Sequence, residues 1–301
     1  MAEEHWPYRR IKRPPRMQVW LDGAFLFEEN PIFSLADWDS AMHIGFKVLF
    51  RAYGSEVRYI NRYYRHLEEC LTRAQFPPFA FLSIDTLRSA ANALLQKNRY
   101  ARNALITATC FLRAYADDAD MQPWTTSLLL QAERLAGQYF DSQIAPVVIS
   151  SYKELRRNTS SLSALNWLGS TEMRYANLYS LQRGHADALL YDSQDRVLQT
   201  TERHIYYLKG DTVYTPPLSL GLIHDPFRES VITAILQEGY RFQEQEIFLD
   251  NFAKAEEIFL ASTRYGIEPV KRLDNKIIFG NHLHIRALID TLNTLFFNEL
   301  Q

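Results

Sequence analysis

Asp211-Thr212-Val213-Tyr214-Thr215-Pro216-Pro217-Leu218-Ser219-Leu220-Gly221-Leu222-Ile223 holds a strand, the turn that ends it and the approach to a helix. Thr212-Val213-Tyr214 is β-branched and aromatic, whereas Pro216-Pro217 has no N–H with which to continue a ladder. Just upstream, Ile205-Tyr206-Tyr207-Leu208 and the turn Lys209-Gly210-Asp211 complete a hairpin with it, and residues 226–238 downstream predict a helix. Further out, Glu246-Ile247-Phe248 reads as a strand and residues 253–259 as a short helix-to-strand step. Residues 285–300 close the chain as a helix with Ile285, Leu288, Ile289, Leu292 and Leu295 on one side. Before the hairpin stand a strand at 145–149, a helix at 167–182 and a strand at Asp187-Ala188-Leu189-Leu190-Tyr191.

The N-terminal half has its own pattern. Asp22-Gly23 between Gln18-Val19-Trp20-Leu21 and Ala24-Phe25-Leu26-Phe27 predicts a tight hairpin. Residues 45–54 alternate, placing Lys47, Leu49 and Arg51 on one face and Phe46, Val48 and Phe50 on the other, with one face toward a cavity. Residues 62–74 and 84–97 read as amphipathic helices, and 104–115 as a strand. Asp117-Asp118-Ala119-Asp120-Met121-Gln122-Pro123 suits a linker, because three acids and a proline do not join a core. The expected division is a basic extension at 1–16, a small α+β domain at 17–116, a linker at 117–125 and a larger α+β domain at 126–301.

Composition sets the outer limits. The 301 residues are 47% hydrophobic, enough for a substantial core, and the formal charge of −2 gives no global attraction to nucleic acid or anionic membrane. Cys70 and Cys110 are the only cysteines, which suits two buried thiols in a reducing compartment. No run of eighteen apolar residues and no apolar leader is present, so a cytoplasmic protein is expected. Tyr8 to Arg16, with five cations around Pro14-Pro15, reads as a solvated extension, the alternative being a partner contact.

From about Val19 onward, order and spacing resemble the class-IV aminotransferases: branched-chain and D-amino-acid aminotransferases and aminodeoxychorismate lyase. The stretch at 211–223 with Arg228 after it is similar to the family's strand, Thr-Pro-Pro turn and helix start. Arg183-Gly184-His185-Ala186-Asp187, Ala261-Ser262-Thr263 and Glu268-Pro269-Val270 add weaker matches in the family's order. The resemblance implies an α+β, two-domain fold of the fold-type-IV pyridoxal phosphate (PLP) enzymes, a homodimer, and PLP as the family's cofactor.

Residue by residue, the resemblance also implies loss. The D-amino-acid spacing of Leu165-Asn166-Trp167-Leu168-Gly169 puts Ser163 where the family has its Schiff-base lysine, and the branched-chain spacing selects Leu162 or Leu165. Only a primary amine forms that imine. Gln199 takes the place of the acid that keeps the cofactor's pyridine nitrogen protonated, with Glu202 expected on the opposite strand face. In the phosphate cup, Asp225 and Pro226 replace a glycine and an N–H donor, while Thr263 stays where a hydroxyl contact belongs. Arg65 is the candidate phosphate arginine, with His66 one residue away as the alternative register. Arg51 and Arg113 match inward arginines of the substrate side and favour a small carboxylate, or else pair with acids. Lys47 is a candidate replacement amine, or a salt-bridged lysine, and Lys153 is a second one.

The expected protein is thus a class-IV aminotransferase-like pseudoenzyme without PLP, possessing a carboxylate-binding cleft or cofactor-independent chemistry. The alternatives are an active PLP enzyme with a relocated lysine and a non-catalytic interaction protein acting through its dimer surface. No metal is expected: His282-Leu283-His284 sits at a helix start and reads as capping or surface histidines.

Overall fold

The computed structural model describes residues 17–29, 44–78, 82–114, 124–137, 139–274, 276–277 and 282–297. The basic extension at 1–16 and most of the expected linker lie outside these. Among the described residues no helix is long and apolar enough to cross a membrane.

The first sheet contains β1 (Gln18–Leu21), β2 (Ala24–Phe27), β3 (Gly45–Tyr53), β4 (Glu56–Val57), β5 (Ala104–Ala114) and β6 (Trp124–Arg134) in the order β2-β1-β6-β5-β3-β4. Asp22 and Gly23 turn β1 into β2 with φ of 46° and 100°, the left-handed geometry that a two-residue hairpin needs. The helices α1 (Ile60–Arg73) and α2 (Ile84–Lys97) cover one face, where Phe46, Val48 and Phe50 meet Tyr63, Leu67, Leu87 and Leu94. The strand period of two then leaves Lys47, Leu49 and Arg51 on the other face. β6 pairs with β5 from Ala104↔Arg134 to Ala114↔Trp124, so the expected second-domain start at 126 cuts through a strand of the first sheet.

Among the described residues the second sheet has nine strands. β7 (Val147–Ser151), β8 (Asp187–Tyr191), β9 (Val197–Thr200), β10 (His204–Lys209), β11 (Thr212–Thr215), β12 (Arg241–Glu244), β13 (Glu257–Ser262) and β14 (Gly266–Leu273) run in the order β12-β11-β10-β13-β14-β7-β8-β9, with β15 (Lys276–Ile277) on β14. Pairing is mixed: β7 lies parallel to β8 and β14, whereas β10 is antiparallel to β11 and β13. Both faces are covered, which explains why β8 is buried at all five positions. Tyr206, Leu208 and Phe259 face α4 (Phe227–Gln237) and α5 (Leu283–Phe297), while Ile205, Tyr207 and Ile258 pack into a second cluster on the opposite side. Residues 246–248, expected as a strand, contribute only the bridge Ile247↔Val197. The helix expected from 167 begins later, as α3 (Thr171–Gln182), because Phe46↔Trp167 forms a bridge to β3. Lys47 N–H donates to the Asn166 carbonyl at 3.0 Å and Leu168 N–H to the Gly45 carbonyl at 2.8 Å, stitching the first sheet to the second half of the chain.

Candidate functional site

Two connected cavities lie where the Lys47 face of β3 meets the second sheet. The inner one has about 50 Å³ of free space, room for one or two waters, and its lining includes Lys47, His66, Gln199, His204, His224 and Asp225. The outer cleft has about 400 Å³ and is bordered by Lys47, Asn166, Arg174, Asn177, Glu202 and Arg264. Lys47, Leu49, Asn166, Thr201 and Glu202 line both, making one cleft with a tight floor and a wide mouth.

Asp225 governs the floor. Its carboxylate accepts from the Thr263 hydroxyl at 2.6 Å, the Thr263 N–H at 2.9 Å and the Phe227 N–H at 3.0 Å. The last of these is the first N–H of α4, where the helix dipole favours an anion. Burial pushes the Asp225 pKa up, and the bonds from Thr263 and Phe227 oppose that rise. Pro226, directly before the helix, has no N–H to offer. Tyr63 Oη lies 3.3 Å from Thr263 Oγ1 and completes the enclosure from α1.

Gln199 is also committed internally: its Oε1 accepts from Ile223 N–H at 2.6 Å and its Nε2 donates to the Thr200 carbonyl at 3.2 Å. With the bond from His224 N–H to the Ala164 carbonyl at 3.0 Å, this holds the 221–225 loop against the floor. Glu202 does not lie on the opposite face as strand parity suggests. β9 ends at Thr200, and the turn that follows brings Glu202 back to the cleft, where its Oε2 accepts from Tyr265 Oη at 2.9 Å. That turn is fixed by Asp187, a fully buried carboxylate that accepts from Thr200 Oγ1, Thr201 N–H and Arg203 Nη1. Arg203 reaches on to Glu268 at 2.5 Å.

Several expected site residues stand elsewhere. Ser163 does not face the floor: its Oγ donates to the Asn158 carbonyl at 2.7 Å and accepts from Ser160 N–H, and it borders a separate surface hollow. Ala164 and Asn166 present that segment to the cleft instead. Arg65 is exposed on the outer side of α1, while His66 is buried and lines the inner cavity. Arg51 is on the expected face yet buried, its guanidinium donating to the carbonyls of Thr263 and Arg264 at 3.1 and 2.8 Å and lying over the Phe140 ring. Arg113 pairs with Asp22 at 3.8 Å beside the first hairpin and borders neither cavity. Lys153 is exposed over the Tyr191 ring. His284 hydrogen-bonds Tyr240 Oη, separate from the cleft.

Among the described residues Lys47 is the lysine that lines the cleft, and burial lowers its pKa, with Glu202 opposing and Arg264 and Arg174 adding to the fall. Arg174 and Arg264 went unrecognised in the sequence. Arg174 is exposed on the first turn of α3 and donates to the Leu168 carbonyl at 2.6 Å, and Arg264 pairs with Glu133 across the two sheets. Only the proximity of Arg264 to Thr263 hinted at either.

A model of the family described as amino-transferase class IV matches residues 49–273. An aminodeoxychorismate lyase of Vibrio harveyi is 30% identical over 112 residues, 36% of this chain and 41% of that protein. A branched-chain-amino-acid aminotransferase of Salmonella typhimurium is 22% identical over 269 residues, 85% of this chain and 84% of that protein. The crystal structure of a branched-chain aminotransferase from Thermoproteus uzoniensis superposes with a TM-score of 0.84 at 18% identity, covering 95% of this chain and 97% of that one. The expected fold-type-IV architecture is therefore the observed one.

Proposed function

We propose that this chain, which belongs to the amino-transferase class IV family, has given up the PLP imine of its relatives and binds a small carboxylate in the outer cleft. The observation that carries this reading is Asp225, whose carboxylate takes the Thr263 hydroxyl, the Thr263 N–H and the Phe227 N–H. These are donors that a bound phosphate would need, and a second anion there would meet the charge of the first. The residues present do not fit PLP in three further respects. The 158–166 segment offers no amine, Gln199 has no negative charge and spends its amide on the 223 loop, and the floor has space for about 50 Å³.

The outer cleft suits another ligand. Its 400 Å³ lies in the range of small-molecule sites, and Lys47, Arg174 and Arg264 supply positive charge beside the amides of Asn166 and Asn177. Burial of Lys47 makes an unpaired amine costly there, and an incoming carboxylate offsets that cost.

A second reading rests on the position of Lys47 at the junction of both cavities, adjacent to Asn166, with a pKa lowered by burial. Such an amine is available as a nucleophile toward a carbonyl. One experiment separates the two. Protein purified from pyridoxine-fed cells is treated with borohydride and mapped by peptide mass. The leading reading expects no pyridoxyl adduct, together with thermal stabilisation by small carboxylates that Lys47→Met abolishes. A stoichiometric adduct on Lys47 establishes the second reading and removes the first.

A further inference from the structure

We propose that His66, Glu69 and His224 form a binding site for a single zinc ion at the edge of the inner cavity. His66 and Glu69 are three residues apart on α1 and so share one face of the helix. His224 comes from the loop before α4, where its own N–H is bonded to the Ala164 carbonyl at 3.0 Å and its neighbour Ile223 to Gln199 at 2.6 Å. One ligand atom from each of the three side chains lies within 4.8 Å of the others, and the two imidazoles meet edge to face at 4.6 Å.

The donor set names the metal. Two imidazoles and one carboxylate match zinc, which takes nitrogen and oxygen at about 2.0–2.2 Å, whereas magnesium and calcium favour all-oxygen shells. Cys70 is not part of the set: its sulfur is a hydrogen-bond neighbour of the His66 ring, 3.5 Å from Nε2. Glu69 is exposed, so its carboxylate has the freedom to swing inward and tighten the triangle. Among the described residues no hydrogen bond engages the His224 ring, which leaves its nitrogens available. Three protein ligands leave a fourth tetrahedral position for water or a small anion. This inference does not depend on the carboxylate reading of the outer cleft, since the two sites share no ligand residue.

The test uses the full chain, freed of metal by chelator and dialysis, titrated with ZnCl₂ by calorimetry and with CoCl₂ by visible absorbance. One-to-one zinc binding and intense tetrahedral cobalt bands are expected. Glu69→Gln, an exposed change that leaves the core intact, weakens zinc by at least about tenfold, as does His224→Gln. His284→Gln, away from the site, leaves the isotherm as it was. Equal zinc affinity in wild type and Glu69→Gln overturns the proposal, and so does the absence of one-to-one binding. Should His224→Gln fail to fold, Glu69→Gln decides alone.

Discussion

Replacing Asp225 with alanine removes the acceptor shared by Thr263 Oγ1, Thr263 N–H and Phe227 N–H. Unpaired, these donors cost about 2–4 kcal/mol together, and the variant's urea midpoint should fall accordingly. The same change empties an anion cradle at the start of α4. Inorganic phosphate is then expected to raise the melting temperature of Asp225→Ala and to leave wild type unmoved; equal responses would speak against the cradle. His204, also on the floor, tests the other sign of charge. Burial first, then Arg228 and His224, hold its pKa well below the ordinary histidine value. The unfolded chain takes up a proton near pH 6.5 that the folded chain refuses, so this contribution is full above that pH and falls below it by about 1.4 kcal/mol per pH unit. His204→Gln should remove that share of the slope in urea midpoints measured between about pH 7 and pH 5.

Between elements, the close approaches are the informative ones. A Cβ on Gly266, where φ is +72°, meets Phe140 Cδ1 at 2.3 Å, and Phe140 in turn supports the Arg51 guanidinium at 4.4 Å from its ring centre. Gly266→Ala is expected to cost about 2–5 kcal/mol from backbone strain and overpacking combined. Gly210 turns β10 into β11 at φ +60° with open space around it, so Gly210→Ala should cost only about 1–2 kcal/mol in the same denaturation series. Arg203, in the turn directly before β10, bonds Asp187 of β8 and Glu268 of β14, at 2.7 and 2.5 Å. Burial works against its charge, and the two acids outweigh that and leave its pKa raised. Arg203→Met strands two buried carboxylates and should lose about 3–5 kcal/mol, with the Glu202 turn loosened as well. A loss below about 1 kcal/mol would mean the triad does not hold that turn.

At the scale of the whole molecule, Tyr175, Leu178 and Leu181 leave an apolar stripe on α3 that is 58%, 49% and 63% exposed. We propose this stripe as the face of the homodimer that the resemblance implies; light scattering should then give a dimeric mass for wild type and a monomer on combining Leu178→Glu with Leu181→Glu, and a monomeric wild type defeats it. The architecture was legible because its signals were local and redundant: a β-branched run stopped by Pro216-Pro217, a turn at Asp22-Gly23, and alternation through Lys47, Leu49 and Arg51. The site was legible only in part. Lys47 faced the cleft as the period of two demands. Arg51 obeyed the same period but spends its donors on carbonyls, a partnership that no spacing reveals. Which of Arg65 and His66 faces the cavity depends on which side of α1 the sheet takes, and spacing alone does not fix that. Glu202 was misplaced because strand parity was carried past Thr200, where the chain had already turned.

The crossed amides of Lys47 and Leu168 have a kinetic corollary. They clamp the lobes at the depth of the cleft, so a swinging-jaw motion would first have to unzip them. A ligand bound for the floor would instead pass the rim, where Arg174 stands bonded to the Leu168 carbonyl. In deuterium exchange those two amides should be among the last of the clasp to surrender their protons, whether or not a ligand is aboard.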